Sequence, residues 1–130
     1  MLVTRIPQYI QGLTNAKVDL TNTNDTVLYT APSDSDFNAS VINSLLVSND
    51  SGSADTITVT ITDSDSAVFS VYKLEEVGAV STKELLSKDL IMQGGEVLKV
   101  QAATGARLHV IASIQELTKT RITTSALANI

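Results

Sequence analysis

His109 is the only histidine in the chain, and there is no cysteine. General acid–base or nucleophilic chemistry near neutral pH most often recruits one of these two side chains. His109 lies inside an alternating run in which Leu108, Val110, Ala112 and Ile114 face one way, so it points to the opposite face. No orienting partner can be assigned to it from spacing, because the serines and aspartates are scattered through turns; the residue reads as structural or surface-exposed. A zinc site needs three or four nitrogen, sulfur or carboxylate ligands, and the usual sets cannot be assembled here. Asp34 and Asp36 flank Ser35, and Asp63 and Asp65 flank Ser64, giving two oxygen-rich loops of the kind Ca²⁺ takes. Neither loop continues with the glycine and distal glutamate of an EF-hand, so Asp34, Asp36, Asp63 and Asp65 are weak calcium candidates and read first as turn residues. Gly94-Gly95 matches neither a dinucleotide fingerprint nor a phosphate loop with its lysine. Three dispersed tyrosines (Tyr9, Tyr29 and Tyr72) offer little stacking surface for sugars. The expectation is a protein with no catalytic residues and no cofactor.

The segments that would position any such residues have a strand grammar. Thr56 to Thr62 alternates threonine with Ile57, Val59 and Ile61, the period of a half-buried strand made wholly of β-branched residues. Asp55 precedes it and Asp63 to Ser66 follow, short polar side chains that compete for backbone hydrogen bonds and stop strands. Further strands are expected near Ala16–Leu20, at Thr26–Thr30 before Ala31-Pro32, at Ala39–Ser48, Ala67–Leu74, Val97–Ala102 and Arg107–Leu117. In the Ala39–Ser48 strand, Val41, Leu45 and Val47 are expected on one buried face. Asn49 to Ser53 reads as a hairpin-like turn with Gly52 free to take positive φ, and Glu75–Val80 as a loop around Gly78. Ser81 to Glu84 has the spacing of a helix capping box, but the β context on both sides favours a strand or irregular crossover over 81–88. Leu90 to Met92 leads into a turn at Gln93–Glu96.

Eight or nine short strands at this spacing predict an all-β, antiparallel β-sandwich, jelly-roll-like or immunoglobulin-like. The expected boundaries are an N-terminal arm over 1–14, where Pro7 and Gly12 break any period, a sandwich over 15–117, and a C-terminal arm over 118–130. The arms carry Leu2, Val3, Ile6, Tyr9, Ile10, Ile122, Leu127 and Ile130 as candidate partner-docking residues, because apolar segments without a fold of their own must pack on something.

With 130 residues there is room for one domain whose core, lacking tryptophan, is built from Val, Ile and Leu. No run approaches the ~18 apolar residues of a membrane span, and the first residues lack the pattern of a signal peptide. Between Val18 and Tyr72 there are eight aspartates and no lysine or arginine. Without a basic cluster, nucleic acid is not an expected partner, and neither is a membrane.

Val27 to Pro32, Val41 to Asn49, Thr56 to Thr62, Glu84 to Leu86 and Leu90 to Ala102 resemble small β-sandwich structural proteins of tailed bacteriophages, particularly those of marine and cyanobacterial hosts. The resemblance spans roughly residues 26–117 and rests on strand and turn grammar. It implies a virion component: a capsid decoration (cement) protein first, or a neck, tail or fibre module, including one that binds a host surface. It implies no enzyme, no cofactor, and as partners a major capsid or neck/tail protein. Self-association is also expected, a trimer foremost, since cyclic symmetry lets a small patch act repeatedly.

Overall fold

A computed structural model describes residues 9–119. Within them the chain forms nine strands and no helix: β1 (Tyr9–Leu20), β2 (Thr26–Thr30), β3 (Phe37–Asn49), β4 (Asp55–Thr62), β5 (Val68–Val77), β6 (Ser81–Glu84), β7 (Leu90–Met92), β8 (Val97–Ala102) and β9 (Leu108–Thr118). One sheet has the order β1-β9-β3-β6, with β7 also on the β3 edge; the other has the order β2-β8-β4-β5. We call them sheets A and B. Every pairing is antiparallel. Successive strands cross between layers at six connections: β1 to β2, β2 to β3, β3 to β4, β5 to β6, β7 to β8 and β8 to β9. This is the double Greek key of a jelly roll, whereas in the immunoglobulin arrangement the first two strands share a sheet.

The core follows from alternation on both inner faces. Ile57 and Val59 of β4 are fully buried beside Leu98 and Val100 of β8. Across the gap, Leu108, Val110, Ala112 and Ile114 line β9 next to Ile42, Leu45 and Val47 of β3. Each of these larger aliphatic side chains contributes about 1.5–3 kcal/mol on leaving water.

Four local readings of the sequence are corrected. Residues 9–14, assigned to an arm, form the first half of β1 and pair with β9, with a register shift between Ile10 and Gly12. Val41 does not share a face with Leu45 and Val47: a bulge between Ile42 and Ser44 inserts one residue, so Ser40 and Ile42 point inward before it and Leu45 and Val47 after it. The strand expected to stop at Leu74 runs on to Val77, through a bulge in which Leu74 takes φ 54°. Gly52 is not among the residues with positive φ. The turn is held by Asn49 instead, whose Oδ1 accepts from the Ser51 amide and hydroxyl while its Nδ2 donates to the carbonyls of Ser53 and Val77.

The expected strand over 81–88 begins as β6. Glu84 makes no helix cap; its carboxylate accepts from the Ser44 hydroxyl and from the amides of Leu45 and Leu86. It thereby bridges the break between β6 and β7 along the β3 edge. Desolvation pushes this carboxyl upward, but the three hydrogen bonds together outweigh it and hold it below the ordinary value.

Candidate functional site

His109 sits on the outer face of sheet A, directly across from Asp19 of β1 and Ser48 of β3. Its Nδ1 lies 3.5 Å from Asp19 Oδ1 and its Nε2 lies 3.3 Å from Asp50 Oδ2. Sequence spacing could not reveal either partner, because Asp19 lies on another strand and Asp50 in the turn that follows β3. A catalytic histidine offers one nitrogen to a nucleophile or substrate while the other is oriented by a carboxylate. Here both nitrogens face carboxylates, and Thr82 Oγ1 donates to the neighbouring Ser48 hydroxyl. The three side chains form a solvent-exposed cluster where the end of β1 and the Asn49–Ser53 turn meet β9; it does not assemble a nucleophile and base.

The four candidate calcium ligands occupy two loops at one end of the sandwich. Asp34 Oδ1 accepts from the amides of Asp36 and Phe37, and Asp63 Oδ1 accepts from those of Asp65 and Ala67. The Gln93–Glu96 turn lies between these loops: a Cβ on Gly94 would sit 3.2 Å from the Pro32 carbonyl oxygen, and one on Gly95, at φ 82°, would sit 3.8 Å from Ser64. Among the described residues no three acidic or histidine side chains converge on a metal-sized point.

Tyr29 carries a polar network between the layers. Its hydroxyl, on sheet B, donates to Glu116 Oε2 of β9 and lies 2.7 Å from the fully buried Ser40 hydroxyl of β3. Burial, reinforced by the Glu116 carboxylate, raises the phenol far above its ordinary 10. The triad is closed to solvent at Ser40 and locks the two sheets together.

The surface with unspent binding capacity is the outer face of sheet A. Two rows of side chains cross it. The first aligns Leu13, Gln115, Val41 and Ile91; the second aligns Lys17, Ile111, Leu46 and Glu84. Leu13 is 74% exposed and Ile91 54%. Between the rows, where the β3 bulge turns Asn43 outward, a solvent-open depression of about 450 Å³ is lined by Asn15, Asn43, Ser113 and Gln115, with Leu13 at its rim. Its walls carry amides and hydroxyls but no charge.

Of the candidate docking residues, Leu2, Val3, Ile6, Ile122, Leu127 and Ile130 lie outside the described residues. Tyr9 and Ile10 belong to β1, where their backbones face Thr118 and Leu117. The chain therefore enters and leaves the sandwich at adjacent positions, at the end that also holds the Asp34 and Asp63 loops.

No protein-family model matches the chain, and no curated protein matches it. One solved chain with a similar fold comes from the "Acidic stable capsid structure of Helicobacter pylori bacteriophage KHP30". The two align with a TM-score of 0.55 over 85% of this chain and 91% of that one, at 14% sequence identity. The two coverages make the chains comparable in length.

Proposed function

We propose that this chain is a non-enzymatic structural component of a tailed-phage virion, a capsid decoration protein that docks on its shell through the flanking segments 1–8 and 120–130. The observation that carries this reading is the end-to-end likeness of the fold to a chain of comparable length in a phage capsid structure. The site geometry agrees with it. The one histidine lies between two carboxylates, Asp34 and Asp63 bond to their own loop backbones, and the half-buried Tyr29–Ser40–Glu116 network joins the sheets. The outer face of sheet A, by contrast, offers uncharged polar and apolar side chains to a partner.

Docking through apolar segments is energetically sufficient. Leu2, Val3 and Ile6 would each contribute about 1.5–3 kcal/mol on full burial, before the cost of ordering the segment. Replication of one weak contact around a symmetric shell multiplies that gain.

Quantitative mass spectrometry of purified particles from the encoding phage tests the reading. A decoration protein is present at a copy number comparable to the major capsid protein, in a small whole-number ratio. A few copies per particle would move the chain to the neck, tail or fibre. Absence from the particle would refute a virion role.

A further inference from the structure

We infer that the outer face of sheet A is the seat for residues 120–130 of a second copy of this chain, which self-associates by strapping one copy's C-terminal segment across the next. The inference refines the virion reading by giving residues 120–130 to a second copy and leaving 1–8 to the shell, and it fails separately from that reading, since a particle component can be monomeric before it docks.

Three observations converge on that occupant. The first is the point of exit. The Lys119 amide donates to the Asp36 carbonyl at 2.8 Å, extending the β3–β9 ladder one step beyond the Phe37–Thr118 pair. The described chain is thus still paired with the β3 side of sheet A at Lys119, where the eleven residues 120–130 begin. The second is charge. All fourteen acidic residues lie within 9–119, together with seven of the nine basic ones, whereas Arg5 and Arg121 lie in the flanking segments. The body carries a net charge of −7 (14 acidic, 7 basic) and the flanks carry +2. Two such bodies repel, and a segment 120–130 that carries Arg121 and no acidic residue adds no further repulsion when laid across the partner.

The third is pattern and length. An extended chain places Ile122, Thr124, Ala126, Ala128 and Ile130 on one side. At ~3.3 Å per residue, eleven residues span about 36 Å, the length of β9 itself. The segment contains no proline or glycine and is therefore free to extend. The rows containing Leu13, Val41 and Ile91 and containing Ile111 and Leu46 present aliphatic groups for such a side, and the amides of Asn15, Asn43 and Gln115 supply partners for a crossing backbone.

The test uses full-length chain and sedimentation velocity over a wide concentration range. One variant carries Ile122→Asp and Ala126→Asp in the strap; the other carries Leu13→Asp and Ile91→Asp in the seat. Wild type is expected to associate, and each variant to associate at least ten-fold more weakly, with an unchanged melting temperature confirming that the seat variant folds. Mixing the two variants should restore a heterodimer, because one intact strap then meets one intact seat. A monomeric wild type, a seat variant that associates as tightly as wild type, or a mixture that stays monomeric would each overturn the inference. The last result would follow if the segment seated on its own chain.

Discussion

The outward faces of the two sheets solve the same problem differently. On sheet B, β4 presents Thr56, Thr58, Thr60 and Thr62, and β8 presents Lys99 and Gln101. The large apolar side chains exposed on that layer, Val27, Val68, Phe69 and Leu74, belong to its edge strands β2 and β5. On sheet A the apolar rows reach the central strands, with Leu46 of β3 and Ile111 of β9 side by side. Threonine keeps the β-branched shape that suits a strand while carrying a hydroxyl. In β4 the four threonines are half-buried; Thr58 Oγ1 accepts from the Leu74 amide, and Thr62 Oγ1 is buried with no hydrogen-bond partner. The centre of sheet B's outer face is thus hydroxyl-lined, where the centre of sheet A's carries leucine and isoleucine.

The largest expected effect separates the two sides of sheet A. Leu45 is fully buried and Leu46, its neighbour in sequence, is exposed. Leu45→Ala should cost about 2–5 kcal/mol in urea unfolding, and Leu46→Ala only about 0.5 kcal/mol or less. Equal costs would mean that the bulge in β3 has been placed wrongly. Next in size is the tie between layers. Tyr29→Phe leaves the buried Ser40 hydroxyl and the half-buried Glu116 carboxylate without their shared partner and should destabilise the fold by about 1–3 kcal/mol. The raised phenol carries a sign: the neutral form is favoured in the folded state, so stability is whole below pH 10, the ordinary tyrosine value, and falls as pH rises above it. In Tyr29→Phe that alkaline loss should shrink.

Glu84 gives a smaller effect with the opposite pH dependence. Its folded value is lowered, so its contribution is present above the ordinary 4.5 and is lost as pH falls through the folded value. The stability gap between wild type and Glu84→Gln should be constant near neutrality and close in acid. A gap that is flat throughout would show that the β6–β7 break does not depend on the charge. The smallest effect is expected on the threonine face: Thr60→Val should change monomer stability by no more than about 0.5 kcal/mol. A large loss there would mean that sheet B's outer face is not simply solvated.

The sequence made the strands legible wherever alternation was uninterrupted. Thr26–Thr30 and Val97–Ala102 have the expected ends, and the buried faces of β4 and β9 follow from period two alone. Reading failed where one residue was inserted. The bulges in β3 and β5 reverse parity downstream, and no residue type announces them: Asn43 and Leu74 are unremarkable in sequence. The choice between jelly roll and immunoglobulin order was also beyond it, since that order depends on pairings such as β1 with β9, about a hundred residues apart. The carboxylates around His109 escaped notice for the same reason. Asp19 and Asp50 reach the ring only after three distant strands and a turn are brought together. The outer-face rows became visible only with register, because Leu13, Val41 and Ile91 share no local pattern.

A cryo-EM reconstruction of the encoding phage's particle, resolved to the level of strands, tests the contrast between the two faces most directly. The account predicts a nine-stranded sandwich on the shell, its threonine face toward solvent and the outer face of sheet A crossed by an extended segment of another copy. A sandwich seated the other way round, with threonines buried and Leu13 and Ile91 in open water, would contradict it.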